Sequence, residues 1–188
     1  MRKLFLLPLA LLLFTHITKA QFYKSFLPSP AFSDSLAKVV LDFRFNFKAI
    51  QGEKLSSRDN MDIYRSKVSI PGAAHSIIYR SHSVEDTTAC FQSVMYSGDN
   101  YNEAVKVYRN TFRLVKKSRM RWVDKSAVSF SGELEEPDES IRFTMSFLKP
   151  DLIDNAYHDF FAEVEMTSSL EGWEVRLNLH NKRNDMEE

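Results

Sequence analysis

The feature that most constrains this chain is a two-residue period in its last third. Val128, Phe130, Gly132 and Leu134 alternate with Ser129, Ser131 and Glu133, and Ile141, Phe143, Met145 and Phe147 alternate with Arg142, Thr144 and Ser146. Phe160, Ala162, Val164 and Met166 form a third such row, and Trp173, Val175, Leu177 and Leu179 a fourth. A β-strand turns successive side chains to opposite faces, so this period specifies four strands with one face covered and the other in water. One-sided cover belongs to antiparallel sheets built from hairpins, and Pro137–Asp138 and Glu171–Gly172 stand where two of the turns are needed. The pattern therefore predicts that Phe143, Met145 and Phe147 point toward a core.

Two amphipathic segments are available as the cover. Ser33 or Asp34 is placed to cap a helix whose apolar residues, Leu36, Val39, Val40, Phe43, Phe47 and Ile50, recur in steps of three and four, with Gly52 as its stop. Residues 53–60 read as loop. Asn100 followed by Glu103 has capping-box spacing and opens a second helix with the stripe Tyr101, Ala104, Val105, Tyr108, Phe112 and Val115. Lys116, Lys117 and Arg119 lie where the carbonyl end of that helix favours cations. Between the helices, residues 62–70, 75–84 and 88–97 read as three strands separated by Pro71–Gly72 and Glu85–Asp86. The expectation is an α+β fold of two layers, with two helices on one face of a largely antiparallel sheet of about seven strands in the order α-βββ-α-ββββ.

The start of the chain carries a different message. Arg2 and Lys3 precede an apolar run from Leu4 to Phe14, and small residues occupy positions 18 and 20, the layout of a secretory signal peptide with cleavage between Ala20 and Gln21. Its 11 apolar residues make about 16 Å of helix, roughly half of a bilayer's hydrocarbon thickness. The expected organisation is a signal peptide over 1–20, a lead-in over 21–32, one domain over 33–182 and a polar tail over 183–188, with export to the periplasm or the exterior. No transmembrane anchor is expected. Cys90 is the single cysteine among 188 residues, so an exported chain of this kind folds without an internal disulfide.

Candidate chemistry is sparse. A hairpin closing symmetrically between Val84 and Thr88 sets Cys90 across from His82, a thiol and imidazole pair that suits a nucleophile. A semi-buried structural cysteine explains the same residue, because no third group or oxyanion site accompanies it. Glu163 and Glu165 share a strand face about 7 Å apart, a separation that suits a pair of carboxylates acting as acid and base. Alternation places them on the solvated face, where a plain acidic surface is the simpler account. His158 beside Asp159 reads as a surface pair, and the histidines show no metal-ligand spacing. No HExxH, GxSxG or glycine-rich phosphate loop occurs, so no cofactor and no metal is expected.

Charge is the most uneven feature. The 25 basic and 25 acidic residues balance over the whole chain. Removal of Arg2, Lys3 and Lys19 leaves 22 against 25, or −3, for the processed chain. From Lys106 to Lys125 eight cations stand against Asp124 alone, a net +7, whereas from Ser126 to Glu174 twelve acids stand against Arg142 and Lys149, a net −10. Lys106, Arg109, Arg113 and Lys117 form a ridge on the second helix, with Arg121 just beyond it. The ridge and an acidic sheet face suit an exported non-catalytic binding module that holds an acidic protein or an anionic envelope surface. A carrier of an apolar ligand between helices and sheet is the alternative, and a small hydrolase a more distant one. No nucleic-acid partner is expected, because the net charge is neutral and no predicted strand interleaves aromatic with basic residues.

Overall fold

The computed structural model describes residues 27–58, 60–82 and 87–181. The expected signal peptide, residues 21–26 of the lead-in and the tail over 183–188 lie outside the described residues.

Helix α1 spans Pro30–Phe43 and begins earlier than the spacing predicted. Ser29, not Ser33 or Asp34, is its cap: the Ser29 hydroxyl accepts the Phe32 N–H at 3.2 Å, and Pro30 supplies a fixed φ where no N–H is needed. The helix also ends earlier. Asn46 and Phe47 take left-handed backbone angles, φ 55° and 56°, in a turn fastened by the Phe47 N–H to the Asp42 carbonyl (3.0 Å) and the Ile50 N–H to the Asp42 carboxylate (3.0 Å). Phe47 and Ile50 are still buried, from that turn and not from a helix face. Gly52 stops nothing; a side chain there would meet the Arg65 carbonyl at 2.7 Å, so glycine is required by the approach of the next strand.

That strand is β1, Gln51–Arg58, which occupies most of the expected loop. It is followed by β2 (Met61–Ser66), β3 (His75–His82) and β4 (Thr87–Gly98). Helix α2, Tyr101–Lys117, opens as predicted, with the Asn100 side chain accepting the Glu103 N–H at 3.1 Å. A small hairpin of β5 (Met120–Arg121) and β6 (Ala127–Val128) leads to β7 (Phe130–Ser131), β8 (Phe143–Pro150), β9 (Phe160–Ser169) and β10 (Gly172–Asn181). Gly172 makes the last turn with φ 110°. The main sheet runs β1-β2-β3-β4-β10-β9-β8-β7, with every pair antiparallel. Two meanders, β1–β4 and β7–β10, thus meet where β4 pairs β10.

Both helices cover one face of this sheet. Leu36, Val39 and Val40 of α1 and Ala104, Tyr108, Phe112 and Val115 of α2 share a core with Val164, Met166, Val175, Leu177 and Leu179. Each Val, Leu, Phe or Met side chain removed from water here contributes about 1.5–3 kcal/mol, which makes this layer contact the main source of stability. Among the described residues no helix is long and apolar enough to cross a membrane.

Strand β8 departs from the sequence pattern. Thr144, Ser146 and Leu148 face the helices, while Phe143, Met145 and Phe147 face the other way, with Phe143 45% exposed. Partners for the Ser146 hydroxyl explain the inversion. The Tyr108 hydroxyl and Ser146 Oγ lie 2.6 Å apart within the core, and Ser146 Oγ also accepts the Glu135 N–H at 2.8 Å. A serine so engaged is satisfied inside, and the apolar stripe of this strand is left on the helix-free face.

Candidate functional site

The helix-free face of the sheet carries the most organised polar constellation outside the core. Register aligns Ile77, Gln92, Asn178, Glu163 and Phe147 across β3, β4, β10, β9 and β8. The Tyr79 hydroxyl donates to Gln92 Oε1 (3.2 Å), Gln92 Nε2 donates to Asn178 Oδ1 (2.9 Å), and Asn178 Nδ2 donates to both Glu163 Oε1 and Glu165 Oε2 (2.9 Å each). A hydroxyl and two amides thus pass donor to acceptor toward a pair of carboxylates. Asn178 is only 6% exposed, although no helix covers it, and the Glu163 and Glu165 side chains are 13% exposed.

Electrostatics separates the two carboxylates. Burial raises the pKa of Glu165 most strongly, Asn178 and Arg176 pull it down, and it remains above its ordinary value. Burial also opposes the charge on Glu163, but the His180 and Asn178 hydrogen bonds outweigh it and its pKa is lowered. His180 presents Nδ1 to the Asn181 carbonyl (2.7 Å) and Nε2 to Glu163 (3.4 Å). Both ring nitrogens face acceptors, which only the imidazolium satisfies as a double donor. Burial disfavours that charge, yet Glu163 and the carbonyl raise the His180 pKa overall. Arg176 completes the group between Glu174 and Glu165.

Tyr79, Cys90, Gln92, Asn178 and His180 line an open cleft of about 630 Å³ that reaches Arg44 and Asn46 beyond the end of α1. Glu163 and Glu165 do not line it. They sit behind Asn178 and His180, where they fix the amide and the imidazole without meeting a ligand themselves. On the flank of the polar row stand Phe147 and Phe161, ring to ring at 6.1 Å, with Lys149 5.7 Å from the Phe161 centroid.

Other expected sites resolve differently. Cys90 pairs with Tyr79 in register, and His82 pairs with Thr87, so the symmetric closure that would join thiol and imidazole does not occur. His82 instead contacts Asp62 (3.1 Å), which also accepts from Lys54, Ser57 and Tyr64 and is held well below the usual carboxylate range by those bonds, Lys54 first. The Cys90 thiol is pushed up to about 12, chiefly by burial and then by Glu163 and Glu165. Glu163 and Glu165 share the predicted face but are not the solvated acids expected there. His158 and Asp159 form an exposed pair at 2.8 Å. Among the described residues no group of three or more His, Cys, Asp or Glu is placed to hold a metal.

The basic ridge is partly absorbed by the fold. Arg109 pairs with Glu136 at 2.6 Å, Lys106 lies 3.6 Å from Glu103, and Lys116 donates to the Gly132 carbonyl at 2.7 Å. Arg113 and Lys117 are exposed on α2, and Arg121 is exposed on β5, off the helix. Gln92 and Asn178 escaped the sequence reading because neutral amides form no motif. The available signal was the unbroken polar row Glu174, Arg176, Asn178 and His180 on β10.

Fold and site together define a two-layer α+β domain with a polar centre on its open sheet face. No family model, curated protein or solved structure matches the chain.

Proposed function

We propose that the protein is an exported, non-catalytic binding module, released by cleavage between Ala20 and Gln21, that holds a protein or envelope partner. Its binding surface is the helix-free sheet face and the adjoining cleft, in preference to the α2 ridge. The observation that carries this reading is the chain from Tyr79 through Gln92 to Asn178, an ordered row of amides bordering a cleft and flanked by outward aromatic side chains. Rigid polar groups beside apolar ones are what a recognition surface needs, because orientation comes from the first and affinity from the second. Catalysis is disfavoured by the same geometry: the carboxylates stand behind the cleft wall and the thiol is held protonated.

Backbone amide NMR during titration with small amides, alcohols and aromatic amines tests the surface directly. Shifts should concentrate at Tyr79, Gln92, Asn178 and His180 and weaken in Gln92→Leu. Shifts confined to α2 around Arg113 would return the function to the basic ridge and overturn this assignment.

A further inference from the structure

Arg80 lies on the core side of β3 and is 6% exposed, yet no carboxylate among the described residues is within ion-pairing distance of it. Register sets Asp62 across from it, but the two Asp62 oxygens are taken by Lys54, Ser57, Tyr64 and His82. The guanidinium donates twice from Nη2, to the Asn46 carbonyl and to Gln51 Oε1, each 2.8 Å. Among the described residues Nε and Nη1 have no hydrogen-bond partner, and since no fully enclosed side-chain nitrogen there is left unsatisfied, both keep some access to solvent.

They open at a cleft of about 360 Å³ lined by Asn46, Lys48, Gln51 and Arg80. The lining contains two cations and no acid. Gln51, anchored to Arg80 through Oε1, keeps Nε2 as a further donor, and the Lys48 side chain is exposed. The carbonyl end of α1 offers about half an elementary negative charge, well short of two cations. A buried guanidinium without a counter-ion is costly unless a ligand supplies the charge. The left-handed pair Asn46 and Phe47 adds strain of about 1–3 kcal/mol per residue, and that turn aims the Asn46 carbonyl at Arg80.

We propose that Arg80, Lys48 and Gln51 form a binding site for a phosphate group, free or as the monoester head of a larger molecule. Two cations match a doubly charged tetrahedral anion better than a carboxylate, and Arg80 Nε and Nη1, Lys48 Nζ and Gln51 Nε2 supply donors from separate directions. Arg80 lies on the opposite face of the sheet from the polar row, and Asn46, beyond the end of α1, lines both clefts.

Calorimetric titration of the full chain with inorganic phosphate, glycerol 3-phosphate and acetate, at matched ionic strength, tests the assignment. Both phosphates should bind and acetate should not; tighter binding of the ester would identify the larger ligand as the natural one, and equal binding the free anion. Lys48→Gln, an exposed change that spares the fold, should weaken phosphate at least about tenfold, and Arg80→Met should abolish binding. Should Arg80→Met fail to fold, Lys48→Gln and Gln51→Leu still decide the matter. No phosphate binding by the native chain, equal binding of acetate, or undiminished affinity in Lys48→Gln would overturn the proposal.

Discussion

Cys90 and His180 line the same cleft with opposite chemical character. Burial and two carboxylates keep the Cys90 thiol protonated up to about pH 12, so the nucleophilic thiolate is scarce at neutral pH. Native protein should react with a disulfide reagent near pH 8 far more slowly than glutathione does, and denaturation should restore the ordinary rate. An equal native rate would show that the thiol is not held in this way. His180 has the reverse bias. Its folded pKa is raised, so its contribution to stability is full below the unfolded value of about 6.5 and is lost as pH rises through the folded one. Glu163 is lowered, so its contribution is present above about 4.5 and lost as pH falls. The pair therefore stabilises most between those values. His180→Gln should cost about 1 kcal/mol near pH 5.5 and much less near pH 9, read as the difference in thermal midpoint between variant and native chain. A difference that does not vary with pH would remove the ion pair from the account.

Among the elements, β8 separates what composition encodes from what packing decides. The alternation in the last third announced strands, and β9 and β10 bury the predicted row, because Ala162, Val164, Met166, Val175, Leu177 and Leu179 are apolar against polar neighbours. On β8 both faces contain groups that can be satisfied inside, and the choice depends on Tyr108 and the Glu135 N–H, partners no local pattern reveals. The same limit hid β1, whose sequence QGEKLSSR lacks apolar alternation because it is an edge strand with little to bury. Asn100 was legible because a cap is a local event. The polar row was only half legible: β10 shows its polar positions, but the link to Gln92 and Tyr79 requires register. Leu148→Ala should cost about 2–5 kcal/mol, whereas Phe143→Ser, a member of the predicted inward row from Ile141 to Phe147 but outward in the fold, should change stability by about 0.5 kcal/mol or less. Denaturant midpoints for the two variants decide between the faces, and the reverse ranking would restore the orientation suggested by sequence.

At the scale of the whole molecule, charge and topology share one feature: the two halves of the chain are closed on each other. The basic stretch meets the acidic one at Arg109 and Glu136, so part of the +7 and −10 imbalance is neutralised within the fold. The meanders join through β4 and β10, where Asn178 bonds Gln92 across the seam and α2 packs over both strands and β9. Nothing in strand order prevents each meander with its helix from opening separately, because each has its own hairpins. The shared core argues otherwise, since α2 covers strands of both halves and Phe91 of β4 is buried in the same cluster as Leu177 and Leu179 of β10. One cooperative unit with frayed edges is then expected: amides of Phe91, Ser93, Leu177 and Leu179 should exchange slowest, with one common opening energy, while the largely exposed β1 exchanges fastest. If instead the seam amides exchange as fast as those of β1 while β2–β3 and β8–β9 remain protected, the halves are separate folding units. In that case the polar row, which spans the seam from Tyr79 to Glu165, would be a junction between two modules instead of a surface carried by one.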